Sequence, residues 1–246
     1  MGTVNVLEAA RNAGGVAAAI MVTSDKCYQN LEDGQARVES DPLGGDDPYS
    51  ASKGCAELAS AAYRASFPKA FTIATVRAGN VVGGGDWAED RLLPDIVRAY
   101  MAGQPLSLRM PGAVRPWQHV LDVLGGYLEL AERTAIAGGD AYGGPWNFGP
   151  PAEGARSVAW IAERAADFLG MPPPRITGAD DAKREKVTLM LDASRAGARL
   201  GWKPLLETGT AVDWTLDWYR RSLAGKSAAE LCESQIDAWT GLKVAA

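Results

Sequence analysis

Apolar positions along the 246-residue chain change their spacing several times, and each change marks an element. Residues 3–13 carry Val4, Leu7 and Ala10 at helical spacing and run into Gly14-Gly15, which predicts a helix that stops there. The run 16–23, VAAAIMVT, is short and continuously apolar, as a strand covered on both faces is. A polar loop follows over 29–47, and its SDPLGGDDP stretch excludes regular structure at the proline and glycine positions. Residues 48–67, rich in alanine, leucine and glutamate after Pro48, predict a long helix. Residues 70–83 open with β-branched side chains and predict a second buried strand that ends in glycines. Strand, helix, strand is a βαβ unit, with parallel pairing and a right-handed crossover.

Beyond residue 85 the pattern loosens. Helices are predicted over 90–103 with Pro94 in the first turn, over 120–134 weakened by Gly125-Gly126, and over 157–170, the last clearly amphipathic. PLSLRM reads as a short strand, and GPWNFGP (144–150), a brief apolar run between breakers, as a third parallel strand. Residues 188–223 suggest two further helices, with Trp214 and Trp218 one turn apart. The fold class is therefore α/β.

Composition narrows the function classes. With 47% apolar residues the chain can bury one large core or two smaller ones. A formal charge of -5 and the lack of a Lys/Arg-rich run argue against a nucleic-acid partner. No apolar stretch reaches the ~18–20 residues of a membrane span, and the opening residues lack a secretory pattern. One histidine and three scattered cysteines exclude a closed zinc site and suit a reducing cytoplasm.

The chemistry concentrates where predicted strands end. Val22-Thr-Ser-Asp-Lys-Cys-Tyr28 places the hydroxyl of Ser24, the carboxylate of Asp25 and the amine of Lys26 in succession. Ligands of open parallel sheets bind outside the carboxyl ends of the strands, so the cluster is placed for catalysis. Tyr49 and Lys53, four apart on the predicted helix, share one face. An ammonium beside a phenol favours the phenolate and makes tyrosine a general base toward an alcohol. The same spacing also fits an exposed tyrosine and a solvated lysine. Gly83-Gly84-Gly85-Asp86-Trp87-Ala88 matches G-x-G-x-x-[GA], yet no long helix follows directly, so these glycines read as a turn into a second lobe. His119 reads as a hydrogen-bonded core residue and Cys27 as a small buried hydrophobe.

Ser24, Tyr49 and Lys53 resemble the Ser-Tyr-Lys triad of the short-chain dehydrogenase/reductase superfamily. The blocks TSDKCY, DPLGGDDPYSASK, RAGNVVGGGDWAEDRLLPD and RPWQHVLD are similar to its extended, sugar-nucleotide-modifying branch, and most to the CDP-glucose 4,6-dehydratase family. The similarity covers nearly the whole chain, from residue 3 into the last predicted helix. It implies a truncated Rossmann-like parallel sheet flanked by helices, with a smaller C-terminal substrate-binding lobe. Residues 1–84 would be a residual NAD-binding domain and 85–246 mainly the substrate lobe, with 120–150 returning to the sheet.

The resemblance further implies NAD as cofactor, with Tyr49, Lys53 and Ser24 on its nicotinamide side, and a nucleotide sugar, CDP-glucose first, as substrate. Such enzymes oxidise the sugar at C4, eliminate water across C5–C6 and return hydride to C6. In that scheme Tyr49 is the base at the 4-hydroxyl, Lys53 supports it, Ser24 hydrogen-bonds the same oxygen, and Asp25 is the acid for the leaving hydroxyl. Lys26 stands where many nucleotide-sugar dehydratases carry glutamate; it is expected to act as the C5 base, or else to hold Asp25 or stabilise an enolate. Asn80 and Arg115 match residues that bind the diphosphate, with Pro116 replacing an aspartate of relatives; Arg91 fits the same group or a solvated helix face. Relatives commonly dimerise through two helices of the nucleotide domain, and 48–67 is a candidate for one of them. The family's glycine-rich phosphate loop would lie upstream of Met1, which predicts weak NAD affinity and poor activity for this polypeptide alone. An epimerase or decarboxylase of the same superfamily, or a non-catalytic fragment, is the alternative.

Overall fold

The computed structural model describes residues 1–29, 33–108, 110–136, 138–176 and 190–245. Its helices are α1 (Gly2–Ala13), α2 (Pro48–Ser66), α3 (Leu92–Met101), α4 (Val120–Ala135), α5 (Val158–Leu169), α6 (Ser194–Leu200), α7 (Thr208–Leu223) and α8 (Ala228–Ala245). The strands are β1 (Ala18–Val22), β2 (Ala36–Arg37), β3 (Thr72–Ala78), β4 (Val81–Val82), β5 (Ser107–Leu108), β6 (Val114–Arg115), β7 (Gln118–His119), β8 (Gly144–Phe148), β9 (Arg156–Ser157), β10 (Arg175–Ile176) and β11 (Met190–Leu191). The chain divides into two units: Met1–Gly79 with Val123–Pro151 and Leu189–Lys203, and Asn80–Asp122 with Ala152–Thr188 and Pro204–Ala246. The boundary thus falls at Gly79–Asn80 rather than between 84 and 85, and a third segment that the sequence pattern did not reveal joins the first unit.

The first unit is built on a parallel sheet of order β1-β3-β8, with Val22 opposite Val76 and Ala78 opposite Phe148. Alternation along β3 sorts its side chains between two helical layers. Ile73 joins Leu7 of α1, Phe71 and Tyr63 of α2 on one face. Ala74 and Val76 join Leu130 of α4, Trp146 and Phe148 of β8 and Ala196 of α6 on the other. A parallel sheet covered on both sides is the α/β arrangement expected of the βαβ pattern. Helix α2 starts where it does because Asp47 accepts the Ser50 backbone N–H at 2.9 Å and the Ser50 hydroxyl at 2.6 Å, with Pro48 in the first turn.

The predicted strand 70–83 is interrupted. β3 stops at Ala78, Asn80 takes a left-handed φ of 42°, and the chain resumes as β4, which pairs in parallel with β7 in the second unit. That unit packs Val82, Leu93, Ile96, Ile161, Val212 and Leu216 into one cluster fed by α3, α5 and α7. Its glycine turn is shaped by packing: a Cβ on Gly84 would lie 2.1 Å from Trp218 Cγ, and one on Gly83 2.7 Å from Val120 Cγ1. No helix of the described residues is long and apolar enough to cross a membrane.

Gly125-Gly126 weakens α4 as an isolated helix, yet Gly126 is required where it stands. A Cβ there would lie 2.4 Å from Phe148 Cε1 and 2.7 Å from Trp202 Nε1. Gly126→Ala should therefore lose roughly 1–3 kcal/mol of stability through overpacking. Gly241→Ala on α8, where a Cβ meets nothing within 4 Å, should gain up to about 1 kcal/mol from helix propensity. Urea unfolding of the two variants gives opposite signs if this packing is right and equal signs if it is not.

Candidate active site

At the carboxyl end of β1 the chain turns sharply. A single 3-10 turn over Asp25–Cys27 begins at Ser24, whose Oγ accepts the Lys26 backbone N–H at 3.2 Å and donates to Asp25 Oδ1 at 2.8 Å. Asp25 is buried, and a Cβ on Gly79 would sit 2.5 Å from its Oδ2, so a side chain at that position would displace this carboxylate. Lys26, by contrast, is exposed. Its charge acts on Asp47, whose carboxyl the Ser50 hydroxyl and backbone N–H already hold below the ordinary value. The turn therefore packs against the start of α2.

Tyr49 and Lys53 lie on that helix. Tyr49 is half exposed, and Lys53 Nζ stands 5.7 Å from its ring centroid, as the four-residue spacing requires. Ser24, Asp25, Lys26, Tyr49 and Lys53 thus all belong to the first unit, on two elements in contact. Asn80, Arg91 and Arg115 belong to the second. There Asn80 has a backbone reason to be asparagine, the left-handed φ of 42°, and its carbonyl accepts the Gln118 N–H at 3.3 Å. Arg91 is an exposed residue at the N-terminus of α3. Arg115 is buried on β6, with Nη1 donating to the Val114 carbonyl at 3.0 Å.

A buried polar network that the sequence analysis missed fixes the turn against the helix. Glu57, one turn after Lys53 on α2, and Arg77 on β3 form an ion pair in which each side chain is 3% exposed. Arg77 Nε donates to Glu57 Oε1 at 2.9 Å and Nη2 to Oε2 at 2.6 Å. The Thr23 hydroxyl donates to Oε1, and that of Thr75 to Oε2 at 2.7 Å. On its other side Arg77 donates to the Tyr28 hydroxyl at 2.6 Å and the Glu39 carbonyl at 3.1 Å. Tyr28 in turn donates to Asn147 Oδ1 on β8 at 2.7 Å. Burial alone would raise the Glu57 carboxyl, but the hydrogen bonds and charge of Arg77, with both threonines, bring it below the ordinary value. Burial pushes the Tyr28 phenol up despite Arg77, so it stays protonated and able to donate. One signal of this network was present in the sequence: a charged residue inside the apolar strand TIATVRA needs a buried counter-charge.

With this geometry in place, comparison with known proteins is informative. Residues 1–143 match the NAD dependent epimerase/dehydratase family. The chain belongs to that family. It is 44% identical over 231 residues to CDP-glucose 4,6-dehydratase of Salmonella typhimurium, covering 89% of this chain and 64% of that protein. Against dTDP-glucose 4,6-dehydratase of Streptomyces griseus the identity is 30%, covering 89% and 63%. The chain therefore spans a little under two thirds of the curated relatives it matches. Among solved structures, dTDP-glucose 4,6-dehydratase from Bacillus anthracis in complex with NAD superposes with a TM-score of 0.76 at 22% identity, over 89% of this chain and 67% of that one. A UDP-galactose 4-epimerase structure gives 0.74 at 24%, over 90% and 68%. These likenesses place the fold among epimerase/dehydratase family members.

Cys27 of the first unit and His119 of the second each have a plain chemical state. Burial pushes the Cys27 thiol up to about 12, which leaves it an inert thiol at neutral pH. Burial pulls His119 down to about 4; it is neutral at pH 7, accepts the Leu121 N–H at Nδ1 and stacks edge-on to Trp214.

Glu57→Gln should cost about 3–5 kcal/mol at pH 7, because it strands the buried Arg77 cation. The folded pKa of Glu57 is lowered from 4.5, so the stability it contributes is complete above that value and lost as pH falls through the folded one. The gap between wild type and Glu57→Gln should therefore narrow as pH falls below 4.5. Urea unfolding at pH 7, 5 and 3.5 measures it, and a gap that widens with acid contradicts the assignment.

Proposed function

We propose that this protein is a nucleotide-sugar 4,6-dehydratase acting on CDP-glucose. The reading is carried by one observation: Ser24 and Asp25 on a buried turn adjoin the helix that presents Tyr49 and Lys53. The 44% identity to a CDP-glucose 4,6-dehydratase supports the nucleotide. The donor set of a half-exposed phenol, an ammonium against its ring and the Ser24 hydroxyl suits the nicotinamide–ribose part of NAD, and we assign these three residues to it. The glycines 83–85 do not suit its pyrophosphate, because Trp218 fills the space beside Gly84. When bound, NAD supplies a reversible hydride acceptor, so the overall change is redox-neutral.

In this reading Tyr49 removes the 4-hydroxyl proton as the C4 carbon is oxidised, with Lys53 beside its ring and Ser24 hydrogen-bonding the same oxygen. The resulting ketone acidifies the C5 hydrogen. Lys26 is assigned to C5, as base or as the cation beside the developing enolate. Asp25 is assigned as the acid that protonates the leaving 6-hydroxyl, which departs as water. Hydride return at C6 and a proton at C5 complete a 4-keto-6-deoxy sugar and one water. Asn80, Arg115 and Arg91 of the second unit are assigned to the diphosphate, Arg115 through the planar fork that suits phosphate oxygens. Exposed Leu58 on α2 favours a homodimer formed through that helix.

Calorimetry with CDP-glucose, dTDP-glucose and GDP-mannose should rank CDP-glucose first. Turnover in the presence of NAD, followed by mass spectrometry, should give a product lighter by one water. Tyr49→Phe should lower kcat by roughly 10²–10⁴ while CDP-glucose still binds. A product of unchanged mass would identify an epimerase instead, and failure to bind any nucleotide sugar would sink the reading.

A further inference from the structure

Three guanidiniums gather at the amino end of β8, away from the strand ends that carry Ser24 and Asp25. Arg64 comes from the last turns of α2, Arg195 and Arg199 from successive turns of α6. A Cβ built on Gly144 would lie 3.9 Å from Arg64 Cζ and 4.0 Å from Arg195 Nη2. Two cations thus meet over one backbone position, which has φ 101° and carries no side chain. Arg195 Cζ stands 4.3 Å from the Trp146 ring centroid, and Arg199 Cζ 5.1 Å from that of Tyr142. Stacking of this kind uses the faces of the guanidinium and leaves its N–H edge for other partners. Arg199 Nη2 spends one such donor on the Ala141 carbonyl at 2.8 Å. Among the described residues neither Arg64 nor Arg195 makes a hydrogen bond or an ion pair within 4.0 Å.

Like charges this close raise one another's energy unless an anion joins them. Burial lowers the pKa of Arg195, and against the opposing pull of Glu39 the charges of Arg199, Arg64 and Arg77 lower it further. Arg77 is neutralised by Glu57; the other three are not so matched. A hollow of ≈ 260 Å³ opens beside Arg195, lined also by Val38, Glu39, Ser40 and Pro145. Among the described residues Glu39 is the one carboxylate lining it, and its Oε1 is engaged by the Asn147 backbone N–H at 3.0 Å. On a protein of net charge -5 this is a local reversal of sign.

We propose that Arg64, Arg195 and Arg199 form a binding site for a small phosphate-class anion, a phosphate or diphosphate group. Guanidinium edges match phosphate oxygens in geometry as well as charge. The site is independent of the proposed dehydratase reaction.

The test is thermal unfolding of the full chain in sodium pyrophosphate against sodium chloride at equal ionic strength. Pyrophosphate should give a saturable rise in midpoint of roughly 3–5 °C at about tenfold excess over its Kd. Arg195→Gln and Arg64→Gln should each lower the saturable part, while Lys226→Gln, an exposed position of the second unit with no role in binding, should leave it whole. Arg64→Gln stands in if Arg195→Gln does not fold. Equal midpoints in the two salts, or wild-type responses in both variants, would overturn the proposal. Loss of the shift in Arg115→Gln alone would overturn it too, by moving the anion to the diphosphate residues of the second unit.

Discussion

A buried ion pair governs the first unit. Taking a carboxylate and a guanidinium out of water costs several kcal/mol each, and their attraction repays that only when the remaining donors and acceptors are also satisfied. Here they are. Both Glu57 oxygens are engaged twice, by Arg77 and by a threonine, and Arg77 turns its remaining edge to Tyr28 and the Glu39 carbonyl. The partners come from the exit of β1, from α2, from β3 and from the segment after the 3-10 turn. Any one element out of place leaves a buried charge short of a ligand. The pair therefore acts less as a source of net stability than as a register mark that admits one arrangement of four segments.

That register is what the candidate chemistry needs. Thr23, bound to Glu57, is the residue before Ser24, so the turn that carries Ser24 and Asp25 starts from a point fixed to α2. On the helix, Glu57 lies one turn beyond Lys53 and two beyond Tyr49, so the same anchor sets the height and rotation of both. From Tyr28 the network continues to Asn147, whose amide Nδ2 donates to the Arg37 carbonyl at 2.8 Å and the Asp192 carbonyl at 3.2 Å. Through Asn147 the central strand, the edge strand β8 and the late segment around β11 share one polar core. A site built on rigid elements in this way holds its groups more closely than one built on loops.

The sequence made the scaffold legible wherever period and length were adequate. α1, α2, β1, β3, β8 and α5 follow directly from apolar spacing and from breakers, and the glycines 83–85 read correctly as a turn. Two-residue strands such as β2 and β11 offer no period to detect, and α8, mostly exposed with only Leu231 firmly buried, carries a weak apolar face. The glycines were harder. Gly126 reads as a weakness because its reason, contact with Phe148 and Trp202, lies far away in sequence. In the site, the hydroxyl, carboxylate and amines were visible as a local cluster. Glu57, Thr23 and Tyr28 were not, because hydrogen bonding across 18 to 49 residues leaves no local pattern.

Fold and chemistry separate cleanly in this protein. A dehydratase and an epimerase superpose on it almost equally well, with TM-scores of 0.76 and 0.74, so the scaffold does not choose the reaction. In the proposed reading, Tyr49 and Lys53 on α2 would serve any alcohol oxidation at a sugar carbon. What an elimination needs in addition is an acid near the leaving hydroxyl and a group acting at the adjacent carbon. In the proposed reading the turn Asp25–Cys27 supplies these groups, and a side chain at position 79 would displace its buried carboxylate. A larger residue there would meet Asp25 Oδ2 before any substrate did. The small residue at the end of β3 and the carboxylate at the end of β1 are therefore one feature, and Glu57 and Arg77 hold both segments in register.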